Sequence, residues 1–327
     1  MELIDHFDIL LRDTINLGRT ALDLLPDRAD KLYSALAANA TFKDTLVEWN
    51  PQGSWAHETI IKPVPAKEFD ADVMLVMREN PDWEPRDYLD NVRAVLENHP
   101  TYGDMVDGER HCRCVRVHYS TMHVDLVPFL TLGNGRQVII DRDANDWEDS
   151  NPSGFTRWIL EKDTVADRNL RKVIRIIKYL RDHRNSFTGT KSVLLTVMLG
   201  NQVDASHKVF DASYYSSVPK ALLNIVTSLD DWLQANPTKP SLSVPGTPGI
   251  TFDRRWEQPT YAYFRDRMHT HAAQIRDAFE ESDEQASVEM WQKLFGPGFK
   301  APEPQHNSGR FGGGAAAPLI GRSGRAG

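Results

Sequence analysis

The stretch "EFDADVMLVM", Glu68 to Met77, constrains the fold more than any other. From Val73 onward it is the apolar run of a buried strand, yet Asp70 and Asp72 stand at its entrance. Aspartate is depleted in strands, and a buried, unpaired carboxylate costs several kcal/mol. Side chains two apart on a strand share a face, so Asp70 and Asp72 present two carboxylates to one point while Ala71 and Val73 face the other way. In "MHVDLVPF" a third acid, Asp125, again interrupts an apolar sequence and shares a face with His123 and Val127. If the two strands are neighbours, three carboxylates converge.

Three mutually repelling carboxylates are stable together mainly around a hard divalent ion, and Mg²⁺ (or Mn²⁺) prefers oxygen ligands, with phosphate oxygens completing its shell. Two such ions about 4 Å apart activate an attacking hydroxyl and stabilise a leaving phosphate. Taken alone, Asp70 and Asp72 fit equally well as strand-end acids that meet solvent or close a turn.

The pattern around these strands is mixed. Leu3, Phe7, Leu10, Leu11 and Ile15 follow a helical period, and a second helix, "ADKLYSALAANA", is expected after Pro26. "TLVEWNPQGS" reads as an extended piece ending in a Gly-Ser loop, and "PRDYLDNVRAVLENH" as a helix opened by Pro85. "HCRCVRVHYS" and "MHVDLVPFL" alternate and lie close enough for an antiparallel hairpin, followed by the strand "RQVIID". This predicts a mixed α/β unit to about residue 145. Helical periods then occupy about 152–162, 166–184, 190–200, 218–235, 259–281 and 284–295. The Pro/Gly-rich "NPTKPSLSVPGTPGI" reads as an exposed loop, and "APEPQHNSGRFGGGAAAPLIGRSGRAG" as a flexible tail. The expected division is 1–150, 151–298 and a tail at 299–327.

Across 327 residues, 40% hydrophobic and 26% charged is ordinary for a soluble globular protein, and no run of about 18 apolar residues suggests a membrane span. The N-terminus carries acids where a signal peptide would carry positive charge, so a cytoplasmic location is expected. A net charge of −8 argues against broad attraction to nucleic acid or an anionic membrane, so any polyanion site is local. "RNLRKVIRIIKYLRDHR" is the candidate: Arg171, Arg175 and Lys178 fall on one helical stripe. The cysteines, Cys112 and Cys114, are expected on opposite faces of a strand, unpaired. His111, His118 and His123 lie nearby, but no second Cys/His pair has finger or ribbon spacing, which argues against zinc.

In order, "GSWAHETI", "EFDADVMLV" and "HVDLVPF" resemble the DNA polymerase β-like nucleotidyltransferase superfamily, and within it the bacterial cGAS/DncV-like nucleotidyltransferases. The resemblance covers about residues 40–235. It implies an α+β fold, a polymerase-β-like nucleotidyltransferase core with a mixed sheet plus a helical C-terminal lobe. It further implies Mg²⁺-dependent synthesis of a cyclic di- or trinucleotide from NTPs in antiphage signalling. Asp70, Asp72 and Asp125 take the place of the catalytic, metal-holding acids. Gly53 and Ser54 match the phosphate loop, and Lys178 and Ser192 the residues directed at the triphosphate from the helical half. By the same resemblance the Gly-rich tail suits a ubiquitin-transfer-like partner, with an unstructured terminus as the plainer reading. A primer-dependent or tRNA-tailing nucleotidyltransferase and a catalytically silent nucleotide-binding module remain compatible with the residues.

Overall fold

The computed structural model describes residues 1–65, 67–253 and 256–302. The Gly-rich end, and with it the expected docking of a ubiquitin-transfer-like partner, falls on residues 303–327, outside the described residues.

Helix α1 (Ile4–Ile9) runs into a wider π-helical turn, Leu10–Ile15, and α2 spans Arg19–Ala37. Strand β1 (Leu46–Gln52) leads into the short helix α3 (Gly53–Ala56), then β2 (Phe69–Met77) and α4 (Pro85–Glu97). Strands β3 (Val115–His118), β4 (Met122–Thr131), β5 (Gln137–Asp141) and β6 (Asp146–Asp149) complete the main sheet. Then follow α5 (Pro152–Val165), α6 (Leu170–His183), α7 (Ser192–Asn201), α8 (Ser206–Phe210) and α9 (Val218–Ala235). A hairpin of β7 (Ser243–Val244) and β8 (Thr247–Thr251) precedes α10 (Gln258–Glu280) and α11 (Glu284–Phe295).

The main sheet runs β1-β2-β4-β5-β6, with β3 paired to β4. It is mixed: β2 and β4 are parallel, and the other pairs are antiparallel. β2 alternates strictly, with Phe69, Ala71, Val73, Leu75 and Met77 buried, so its opposite face is free to carry the acids. The buried face packs with α2 and α4 into one apolar core built from Leu17 to Ile140. A second core joins α6, α7, α9, α10 and α11. Phe7, Leu10, Leu11 and Ile15 pack into this second core rather than the first, so the N-terminal segment clamps onto the helical half. Phe299, placed by the sequence at the start of the tail, is buried there too.

Four local expectations change. The second helix does not begin after Pro26 but runs through it: the absent N–H forfeits only the bond to the Leu22 carbonyl, on an exposed turn where water can serve. Leu25, Ala29, Leu32 and Leu36 form the buried stripe that holds the helix in place. Cys112 and Cys114 precede β3 instead of lying in it, both as free thiols. The sheet extends past residue 145, because the polar, short β6 pairs with β5 through backbone bonds that no hydrophobic alternation announces. The Pro/Gly-rich connection contains the β7-β8 hairpin, turned at Gly246 with φ +79°. Among the described residues, no helix is long and apolar enough to cross a membrane.

Candidate active site

The parallel register of β2 and β4 sets Asp72 opposite Asp125 and Asp70 opposite His123. The two strands the sequence marked with acids are therefore direct neighbours, with the acids on one face. Asp70 is exposed, Asp72 half-buried and Asp125 buried. Burial, followed by the nearby charges of Asp70 and Asp125, pushes the Asp72 carboxyl up to about 7.

Asp125 is paired with an arginine of the neighbouring strand. Arg116, its register partner on β3, donates from Nε to Oδ1 and from Nη2 to Oδ2, both at 2.8 Å. This fork occupies both carboxylate oxygens. Correspondingly, the described groups whose ligand atoms all lie within 4.8 Å of one another are Glu68, His118 and His123 and, separately, Cys112, Asp141 and Asp143; the three acids are not among them. Cys114 lies beside the Asp125 and Arg116 pair, and burial, then the Asp125 charge, raises its thiol pKa. Arg116 was not singled out from the sequence. Its one signal is its place in the strand next to Asp125, which becomes informative only with the register.

The donor set suits a hard divalent cation: it is all oxygen, anionic and open to solvent at Asp70, and a cation would relieve the repulsion expressed at Asp72. Asp70, Asp72 and, once released from Arg116, Asp125 are the residues that would hold it.

Gln52, at the end of β1, is paired with Asp72, so the chain turns directly over that carboxylate at Gly53. A Cβ on Gly53 would lie 2.2 Å from Asp72 Oδ2, and φ there is +56°. Both the close approach and the left-handed backbone demand glycine. Gly53 opens the helical turn α3, which also holds Ser54.

The loop contributes to the lining of two cavities, Ser54 to one and Gly53 to the other. The smaller, of about 80 Å³, is lined by Ser54, Lys67, Asp70, Lys178, Arg181 and Ser192. The fold thus gathers Ser54, Lys178 and Ser192 at one acidic residue of the site, although they are spread over more than a hundred positions. Lys178 is buried and donates to the Thr59 carbonyl at 2.8 Å. Burial brings its pKa down to about 8. Ser192, the first residue of α7, accepts from Arg181 Nη1 at 3.2 Å. Arg181, three residues after Lys178 in the basic segment, lines the same cavity. Of the predicted basic stripe, Arg171 is engaged elsewhere, with Asp163 and Glu58.

The larger cleft, of about 320 Å³, is lined among others by Gly53, His57, Arg113, Phe155, Lys191 and Trp256. Its size and mixed lining suit a base and sugar. His57 stands edge-on to the Phe155 ring at 4.9 Å, and burial, followed by the charge of Lys178, lowers its pKa to about 4.

Comparison with known proteins agrees with this fold. Residues 1–163 match the family described as the Second Messenger Oligonucleotide or Dinucleotide Synthetase domain. A cyclic AMP-AMP-AMP synthase from Acinetobacter sp. is 22% identical over 273 residues, covering 82% of this chain and 77% of the relative. A probable cyclic AMP-AMP-GMP nucleotide synthase from Salmonella paratyphi B is 28% identical over 186 residues, covering 55% of this chain and 46% of the relative. Among solved structures, Escherichia coli MS115-1 CdnC with ATP superposes with a TM-score of 0.68 at 20% identity, covering 91% of this chain and 99% of that one. The Vibrio cholerae DncV cyclic AMP-GMP synthase with a linear intermediate gives 0.67 at 15% identity, covering 91% and 97%. With its acid-bearing strands in register beneath a Gly-Ser turn, the chain belongs to the cGAS/DncV-like nucleotidyltransferases and is a nucleotidyl-transferring enzyme.

Proposed function

We propose that this protein joins NTPs into a cyclic oligonucleotide second messenger, with pyrophosphate released at each step, in an Mg²⁺-dependent reaction serving antiphage signalling. The observation that carries the reading is the pairing of Asp72 with Asp125 in parallel register, capped by Gly53. The Acinetobacter relative is named for a cyclic trinucleotide and the Vibrio neighbour for a cyclic dinucleotide, so both ring sizes occur among proteins similar to this one.

The roles follow from position. The smaller cavity takes the donor triphosphate: Lys178 and Arg181 supply positive charge, and the Ser54 and Ser192 hydroxyls supply polar contacts. The larger cleft, lined by Gly53, takes nucleoside, with Phe155 and Trp256 offering apolar surface and Arg113 a polar edge. Asp70 and Asp72 would hold the divalent ion beside the donor α-phosphate, and Asp125 is the acid assigned to the acceptor hydroxyl. When bound, the divalent ion supplies Lewis-acid polarisation of the phosphoryl group and lowers the acceptor hydroxyl pKa. The acceptor oxygen forms the new bond to the α-phosphorus, and the bond to the pyrophosphate oxygen breaks. A second transfer within the linear product closes the ring. Residues 1–150 then act as the catalytic unit and 151–298 as the lobe that closes the triphosphate site.

The test is incubation of the purified protein with Mg²⁺ or Mn²⁺ and all four NTPs, with nucleotide omission and mass spectrometry of phosphatase-resistant products. A cyclic product that is lost in the double variant Asp70→Ala/Asp72→Ala supports the reading. Product only when an oligonucleotide primer is added would make the enzyme a linear polymerase instead.

A further inference from the structure

Beside the acids, Glu68 just before β2, His118 of β3 and His123 of β4 bring one ligand atom each to within 4.8 Å of one another. His118 and His123 are direct register partners across β3 and β4, and Glu68 stands immediately before Phe69, whose partner is Met122. The two histidines therefore share a row of the sheet with Asp70, the register partner of His123, and Glu68 stands two residues before Asp70. None of the three cluster members has a role in the transfer described above.

The spacing is unusual for a hydrogen-bonded network. Nδ1 of His118 and Nδ1 of His123 both approach the same oxygen, Glu68 Oε2, at 3.5 and 3.4 Å. Good hydrogen bonds of this type are shorter, about 2.7–3.2 Å. Ligands around a tetrahedral ion at about 2.0–2.1 Å, by contrast, stand about 3.3 Å from each other. Two edges of the triangle are close to that value, and all three ligand atoms lie within 4.8 Å of one another. A carboxylate also backs the far side of one ligand: Asp107 Oδ2 lies 3.2 Å from His118 Nε2. The same carboxylate is held by the Glu109 amide and by His111 Nε2 at 2.9 Å. A carboxylate on the distal nitrogen selects the tautomer whose Nδ1 is free to bind metal.

We propose that Glu68, His118 and His123 form a binding site for a zinc-class transition-metal ion, distinct from the hard-cation site at the aspartates, with one position left open. Two imidazoles and a carboxylate favour borderline ions, whereas an all-carboxylate set favours Mg²⁺. The ion ties the ends of β3 and β4 to the residue preceding β2. Because Glu68 and Asp70 both line the triphosphate cavity, the tie fixes the mouth of that cavity.

Co²⁺ titration of the full chain with Mg²⁺ in large excess tests this independently of catalysis, since the readout is a spectrum. The expected result is one equivalent of Co²⁺ giving the intense visible bands of four-coordination, displaced by Zn²⁺ and lost in His118→Ala and His123→Ala. Zn²⁺ should raise the melting temperature of the wild-type protein by several degrees and leave both variants unmoved. Glu68→Gln, a change of one exposed carboxylate, repeats the test where a histidine variant fails to fold. Weak six-coordinate absorption only overturns the proposal. Bands that survive both histidine changes and vanish in Cys112→Ser overturn it as well, and place the ion at Cys112, Asp141 and Asp143.

Discussion

Arg116 grips Asp125 with two parallel hydrogen bonds of 2.8 Å across β3 and β4, so the third acid of the site is paired with a cation from its own sheet. The carboxylate is buried and the arginine half-buried. The pair keeps an isolated negative charge from being stranded beside Asp72, and it also competes with any ion that needs Asp125.

Replacing Arg116 by Gln should therefore act in opposite directions with and without metal. In EDTA the variant should lose about 1.5–3 kcal/mol, the value of hydrogen bonds to a charged group. Added Mg²⁺ should stabilise it more than it stabilises the wild-type protein. Urea unfolding with and without Mg²⁺ reads both effects; equal stabilisation of the two proteins by Mg²⁺ would show that Arg116 does not compete.

Gly53→Ala places a methyl group 2.2 Å from where Asp72 Oδ2 now lies and puts alanine at φ +56°. The backbone cost is about 1–2 kcal/mol. The larger consequence is displacement of the Asp72 carboxylate, and a shift of about 1 Å at a reacting centre costs about 10²-fold in rate. Turnover should fall at least that far while circular dichroism stays unchanged. Normal turnover in the variant would remove Gly53 from the site.

Lys178 is charged at neutral pH, but its pKa lies near 8 in the free protein. A bound triphosphate favours the charged form, so NTP affinity should weaken as pH rises above about 8. Lys178→Met should weaken binding by about 10- to 150-fold at pH 7, the equivalent of 1.5–3 kcal/mol, and flatten this alkaline loss. Binding titrations of a non-hydrolysable NTP from pH 7 to 9.5 give both values.

His57 links stability to acid. Its pKa is about 4 in the fold and about 6.5 when unfolded, so between these values the unfolded chain binds more protons. The stability it contributes is complete above about pH 6.5 and is lost as pH falls toward 4, at no more than about 1.4 kcal/mol per pH unit. His57→Gln should reduce the slope of unfolding free energy against pH within that window. An identical slope would mean that the imidazole is not held neutral.

The residues that were legible in advance share a property: their signal is periodic and local. The alternation of β2 separates Ala71, Val73 and Leu75 from Asp70 and Asp72 by pleat alone. The same holds for the helix that carries Lys178, whose apolar stripe is visible at a period of 3.6. Pro26 and β6 misled or escaped such reading, because backbone satisfaction by water and by a neighbouring strand leaves little trace in side-chain pattern.

By itself, then, the amino-acid sequence determined most of the strands and helices and which of them carry acids, glycine and cations, since these follow from bond geometry within a few residues. The tertiary structure alone decided what those residues face. The parallel register of β2 with β4 brings Asp72 to Asp125 across more than fifty positions, and the β3 pairing delivers Arg116 to one row and His118 to the next. Finger or ribbon spacing along the chain could not reveal Glu68 beside two histidines, because ligand geometry is set by distance in space, and strand pairing, not sequence separation, sets that distance.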